Sequence, residues 1–153
     1  MIKNYATLRH DVWLPYRFAV GPAMHRFFEG LKQEKIWGNR CPKCKKVLVP
    51  ARTFCPVCNE DMDEWLEVSE EGEVVSWTLS TREFFGIPKP APLIIALIHL
   101  DKTDCDFLHL IGGVDANDMN HVKITIKKGT RVRVRWNDDR KGNMMDIEYF
   151  EPI

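Results

Sequence analysis

Three features of the sequence predict a mainly β protein, in which an N-terminal arm and helix lead into a small metal ribbon and then a five-stranded barrel. Two Cys-x-x-Cys pairs, Cys41/Cys44 and Cys55/Cys58, stand ten residues apart. Behind them, five short apolar or alternating runs fill the chain, with no long helical pattern among them. Ahead of them, one amphipathic stripe follows an aromatic arm broken by prolines.

The first segment, residues 1–37, opens with Tyr5, Trp13, Tyr16 and Phe18, and Pro15 and Pro22 argue against one continuous helix. Pro22 suits the first turn of a helix. Met24, Phe27, Phe28 and Leu31 then recur at i, i+3, i+4 and i+7, an apolar face that packs on the chain itself or fills a partner's groove. The second segment, 38–66, carries the cysteines. In the third, 67–153, "EVVSWTLSTREF" alternates in part, and "PLIIALIHL" is a buried-type run opened by proline. "DFLHLIGGV" ends on a glycine pair, a turn or bulge signal. "GTRVRVRW" alternates strictly, placing Val132, Val134 and Trp136 on one face and Arg131, Arg133 and Arg135 on the other. "MMDIEYF" supplies the closing strand.

A hydrophobic content of 44% and a charged content of 29% exclude wholesale disorder. Lys plus Arg equal Asp plus Glu at 22 each, whereas a chain held to DNA by phosphate neutralisation alone would be more basic. The charge is unevenly placed: basic from Lys32 to Arg52, acidic from Glu60 to Glu73, basic again from Lys123 to Arg135. No apolar run approaches the roughly 18 residues of a membrane helix, and no secretory signal opens the chain. Four of five cysteines fall in the paired motif, which fits a reducing, cytoplasmic setting better than a disulfide framework.

Cys41, Cys44, Cys55 and Cys58 offer four thiolates. A two-residue spacing folds each pair into a tight knuckle, with both sulfurs aimed at one ion. Four protein ligands fill a tetrahedral sphere and leave no place for substrate or activated water, so the site is structural. Zinc is the favoured ion, although sulfur ligands alone also suit iron in an electron carrier.

The order of "FFEGLKQEKIWGNRCPKC", "CPKCKKVLVPARTFCPVC" and "EGEVVSWT" resembles the acyl-CoA-associated proteins that join a rubredoxin-like zinc ribbon to a C-terminal OB-fold. Pro50 and Arg52, "PLIIALIHLD", the glycine pair and the terminal "FEP" extend the match over roughly residues 24–153. Family members often place glycine after each cysteine pair, where this chain has Lys45 and Asn59. The resemblance implies a non-catalytic companion of a thiolase-fold subunit in a hetero-oligomer, with CoA or acyl-CoA bound near the interface.

The residues agree that this chain does not catalyse alone. A thiolase needs a nucleophilic cysteine, a second cysteine as acid and base, and activating histidines. Only Cys105 lies outside the metal motif, flanked by Asp104 and Asp106, which raise a thiol's pKa. His99 and His109 read as sheet histidines. Lys43, Lys45, Lys46, Arg52, Arg131, Arg133 and Arg135 are candidates for the anionic end of CoA or for a partner. Phe84, Phe85 and Ile87, in the proline-stiffened "FFGIPKPAP", are candidates for a partner's active-site mouth or, equally, for a lid packing on the barrel's own core. Tyr5, Trp13, Tyr16 and Phe18 would anchor the interface. The alternative is a single-stranded nucleic-acid-binding module, with the three strand arginines beside Trp77, Phe84, Phe85 and Trp136 as stacking groups.

Overall fold

Pro22 starts the helix that the apolar spacing predicts. The computed structural model describes residues 17–83 and 89–153. Helix α1, Pro22–Lys32, carries its proline in the first turn, where the missing N–H is no loss. Its buried face holds Ala23, Phe27, Gly30 and Leu31. Phe27 and Leu31 are fully buried in the main core, with Met24 and Phe28 packed at its edge. The stripe therefore packs on the chain itself. At the edge of that face, one turn before Gly30, the Arg26 guanidinium sits 4.3 Å from the Trp65 ring and 5.2 Å from the Trp37 ring.

Strands β1 (Trp37–Arg40), β2 (Val47–Leu48) and β3 (Glu64–Glu67) form an antiparallel sheet in the order β2-β1-β3. The barrel follows with β4 (Glu71–Ser80), β5 (Leu93–Leu100), β6 (Asp106–Ile111), β7 (Arg131–Trp136) and β8 (Ile147–Pro152). These five close in the order β4-β5-β6-β8-β7, and closure removes the open edges that a small sheet would otherwise expose. Only the β6–β8 pairing is parallel, through Ile111 and Phe150. Along β7, Val132 and Val134 are buried while Arg133 and Arg135 are exposed, as strict alternation requires. The glycine pair ends β6 as anticipated: the Tyr149 ring lies where a Cβ on Gly112 would stand, and Gly113 has φ +72°.

Two elements depart from the expected pattern: Met144–Asp146, read as the start of the closing strand, forms a short 3-10 helix ahead of β8, and one helix was not predicted. A seven-residue helix, α2 (Met119–Thr125), lies between β6 and β7. The Asp118 side chain caps it by accepting from the backbone N–H groups of Asn120 and His121. Val122 and Ile126 join the barrel core.

The ribbon and the barrel are tied together. Val47 N–H donates to Asp104 Oδ2 at 2.8 Å, and Asp104 N–H returns a bond to the Val47 carbonyl at 2.8 Å. Val49 N–H donates to Cys105 Sγ at 3.1 Å, and that thiol donates to the Val49 carbonyl at 3.3 Å. The turn between β5 and β6 thus pairs alongside the outgoing strand of the ribbon. Val47, Val49 and Ile36 share one core with Ile98, Phe107 and Phe150 of the barrel.

His109 stacks on Phe107 inside that core, with ring centroids 5.8 Å apart and planes 8° apart. One ring nitrogen is satisfied: Nε2 lies 3.0 Å from the Met144 carbonyl and so carries the proton as donor. Nδ1 is buried with no hydrogen-bond partner among the described residues, so there the expectation of a satisfied sheet histidine holds for half of the ring. Burial pushes the imidazole pKa below its ordinary value of 6.5. The unfolded chain then binds the proton first, and stability falls as pH drops below about 6.5. His109→Phe is expected to flatten this slope, read from urea midpoints on either side of that pH.

Candidate metal centre

Two similar knuckles build the site. In the first, Lys45 N–H donates to the Cys41 carbonyl at 3.0 Å, and Cys41 N–H donates to the Lys46 carbonyl at 2.9 Å. In the second, Asn59 N–H donates to the Cys55 carbonyl and Cys55 N–H to the Glu60 carbonyl, both at 2.8 Å. Each turn needs a left-handed residue just after the second cysteine, and Lys45 (φ 61°) and Asn59 (φ 56°) fill those positions. Glycine, which the resemblance implies at these two positions, would meet the same turn with less strain. Left-handed backbone costs an L-residue about 1–2 kcal/mol, partly offset by glycine's larger entropy loss. Lys45→Gly is therefore expected to stabilise the protein by about 0.5–1 kcal/mol, measured by denaturant unfolding.

The four sulfurs lie within 4.8 Å of one another. A tetrahedral site with metal–sulfur bonds of about 2.3 Å has edges of about 3.8 Å. Cys44 Sγ and Cys55 Sγ are 3.8 Å apart. Cys41 and Cys55 are buried, and both pack with Leu48 and Met62 in a second small core. Against the opposing effect of its burial, the backbone N–H groups of Cys44 and Lys43 bring the Cys41 thiol down to about 7. Hydrogen bonding to Cys44, with burial, pushes Cys58 up to about 12. Sulfurs this close cannot all ionise unless a cation neutralises them, and a dication that takes four soft ligands does so. The donor set fits zinc.

Asn39, which the sequence reading did not single out, holds the loop between the knuckles. It is fully buried. Its Nδ2 donates to the carbonyls of Arg52 and, at 2.9 Å, Met62, while its Oδ1 accepts from Arg52 N–H at 3.1 Å. One amide side chain thereby fixes both backbone groups of Arg52. A polar residue in a short strand before the first cysteine was its only sequence signal. Cys105, left without a role by the sequence, serves the ribbon–barrel joint, and burial raises its pKa, with Asp106 and Asp104 adding to the rise.

The other candidates separate into groups. Lys43, Lys45, Lys46 and Arg52 are exposed on the ribbon, and among the described residues only Lys43 meets a carboxylate, Glu60 at 3.5 Å. The arginine face of β7 is partly neutralised. Arg131 donates to both oxygens of Asp101 at 2.7 Å, and Arg133 Nε donates to Glu71 at 2.9 Å. Arg135 has no such ion pair among the described residues. Trp77 and Trp136 are partly buried and pack against the barrel core. Phe18 is 72% exposed. Tyr5, Trp13, Tyr16, Phe84, Phe85 and Ile87 lie outside the described residues.

Comparison with known proteins agrees with this architecture. The family described as ChsH2, rubredoxin-like zinc ribbon domain, matches residues 28–63, and the family described as ChsH2, C-terminal OB-fold domain, matches residues 65–137. A DUF35 domain-containing scaffold protein of Methanocaldococcus jannaschii is 32% identical over 66 residues, covering 42% of this chain and 47% of that protein. The match therefore spans about half the length of that curated relative. The structure of a Sulfolobus solfataricus protein of unknown function from the DUF35 family superposes with a TM-score of 0.57 at 31% identity, over 74% of this chain and 78% of that one. The structure titled Ltp2-ChsH2(DUF35) aldolase superposes with a TM-score of 0.62 over 89% of this chain and 98% of that one, and at 23% identity it speaks for the fold alone. With four clustered sulfurs, a ribbon sheet and a closed five-stranded barrel in the same serial order, the chain belongs to the DUF35 family, as a zinc-ribbon and OB-fold protein of the ChsH2 type.

Proposed function

We propose that this protein is a non-catalytic companion subunit of a thiolase-fold enzyme, acting in a cytoplasmic hetero-oligomer. The observation that carries the reading is the fate of the thiols. Four are gathered in a structural cluster, and the fifth, Cys105, is bonded to Val49 inside the ribbon–barrel joint. None is left to serve as a nucleophile, so the catalytic cysteine belongs to another chain. The name of the Methanocaldococcus relative, a scaffold protein, and the presence of ChsH2 beside Ltp2 in an aldolase structure support a partner-dependent role.

The reaction we assign to the complex follows the sequence's resemblance to the small subunit of benzoylsuccinyl-CoA thiolase. There, the partner cleaves benzoylsuccinyl-CoA, or a related β-ketoacyl-CoA, with free CoA to give benzoyl-CoA and succinyl-CoA, as in anaerobic toluene degradation. The labour divides along the chain: residues 1–37 anchor the partner, 38–66 form a rigid zinc arm, and 67–153 form the OB-fold body that carries them. Lys45 and Lys46, exposed and without carboxylate partners among the described residues, are free to meet the phosphates of CoA, while Arg52, likewise exposed, is left for the partner chain. Co-expression with the catalytic subunit of benzoylsuccinyl-CoA thiolase, followed by size-exclusion chromatography, tests the reading. A stable complex of the two chains is the expected result, and separate elution would refute it.

A further inference from the structure

An apolar cleft of about 380 Å³ opens between the start of α1 and the loop joining the two knuckles. Met24 and Ala23 form one wall, and Pro50, Ala51, Phe54 and Pro56 the other, with Arg52 also lining it. Of its lining, Phe54 is 54% exposed, and two large apolar side chains close to it in sequence are exposed as well: Val20, two residues before α1, at 37%, and Val57, inside the second knuckle, at 72%. Leaving apolar surface in water forgoes the free energy that its burial would supply. An exposed phenyl ring on the wall of an apolar cleft marks an interaction site more than scattered exposure does.

Two further observations say what fits there. The far wall is pre-organised: Asn39 holds both backbone groups of Arg52, and Thr53 carbonyl accepts from Met62 N–H at 3.0 Å. A surface held this way gives up little entropy on binding. The cleft is also electrostatically incomplete. Arg52 is exposed beside apolar residues and forms no ion pair with any described residue, while the carboxylates of the acidic stretch after the second knuckle are partly taken, Glu60 by Lys43 and Glu64 by Arg40.

We infer that this cleft is where the catalytic subunit docks, through an extended segment that places an apolar side chain between Met24 and Phe54 and a carboxylate on Arg52. The inference rests on the companion-subunit reading and deepens it by naming the surface. It gives the metal a purpose beyond holding the ribbon together, because the zinc knuckles set the position of the wall that carries Phe54 and Arg52.

The test titrates full-length chain into the purified catalytic subunit of benzoylsuccinyl-CoA thiolase by calorimetry. Phe54→Asp and Arg52→Glu are compared with Leu108→Asp, which changes a 60% exposed residue on the barrel. Metal content and circular dichroism establish that each variant is folded, and the milder Phe54→Ala serves if Phe54→Asp is not. The expected result is a rise in Kd of roughly tenfold or more for the cleft variants and little change for Leu108→Asp. Binding by the wild type should weaken with added salt, and less so in Arg52→Glu. Unchanged binding by folded cleft variants overturns the cleft while the companion reading stands. Loss with Leu108→Asp alone moves docking to the barrel and also overturns it. Failure of the wild type to bind removes both proposals together.

Discussion

Replacing Cys41 and Cys44 by serine together is expected to abolish zinc binding and unfold the ribbon, leaving the barrel as the surviving structure. Structural zinc contributes about 10–16 kcal/mol of apparent binding free energy in peptides that fold around it. The ribbon has little to replace it, since its own core consists of Cys41, Leu48, Cys55 and Met62, half of it ligand sulfur. Metal analysis should fall from stoichiometric zinc to none, and amide exchange should accelerate in 38–66 far more than in the barrel strands. Acid should release the metal by the same chemistry. The bound sulfurs must be thiolates, and without a cation Cys58 holds its proton up to about 12, so protons compete with the ion increasingly as pH falls. Cys105→Ala keeps its zinc on this account, because its sulfur bonds to Val49. Full zinc content in the double serine variant would refute the four-sulfur assignment.

The second large effect is expected at Asn39. Asn39→Ala strips the partners from the Arg52 N–H, the Arg52 carbonyl and the Met62 carbonyl in a region that water reaches poorly. A buried polar group left without a partner costs about 1–3 kcal/mol, so roughly 3 kcal/mol or more of destabilisation follows. Urea unfolding reads the loss. Zinc content distinguishes its origin: the ligands remain in Asn39→Ala, so the metal should stay while the loop that carries Arg52 and Phe54 loosens. A change below about 1 kcal/mol would mean that these bonds do not organise the loop.

How far the sequence spoke depended on how local each determinant was. Pro22 and the Met24–Phe28–Leu31 spacing place α1, because a helix is fixed by neighbours three and four residues away. The alternation of Arg131 to Trp136 places β7, and the cysteine spacing places both knuckles, for the same reason. Helix α2 was hidden by its shortness, and only the Asp118 cap gave it a local signal. Partners distant in the chain were invisible. Val47 finds Asp104 across 57 residues, and Arg131 finds Asp101 across 30. That second pairing is why an arginine face that looked open to an anion is half occupied by the chain's own carboxylates. Asn39 escaped notice because a polar residue in a strand signals solvent, and only the fold turns it inward. The leftover cysteine could be placed between two aspartates, but its part in joining ribbon to barrel needed the structure.

As proposed above, this chain completes an enzyme whose chemistry lies elsewhere. Thiolytic cleavage of benzoylsuccinyl-CoA tests it most directly, measured with the catalytic subunit alone, with this chain alone, and with both. The expected result is no activity from this chain and a rate for the pair at least tenfold above the catalytic subunit alone, a difference of about 1.4 kcal/mol in the barrier. Full activity of the catalytic subunit without this chain, unchanged on adding it, would contradict the claim.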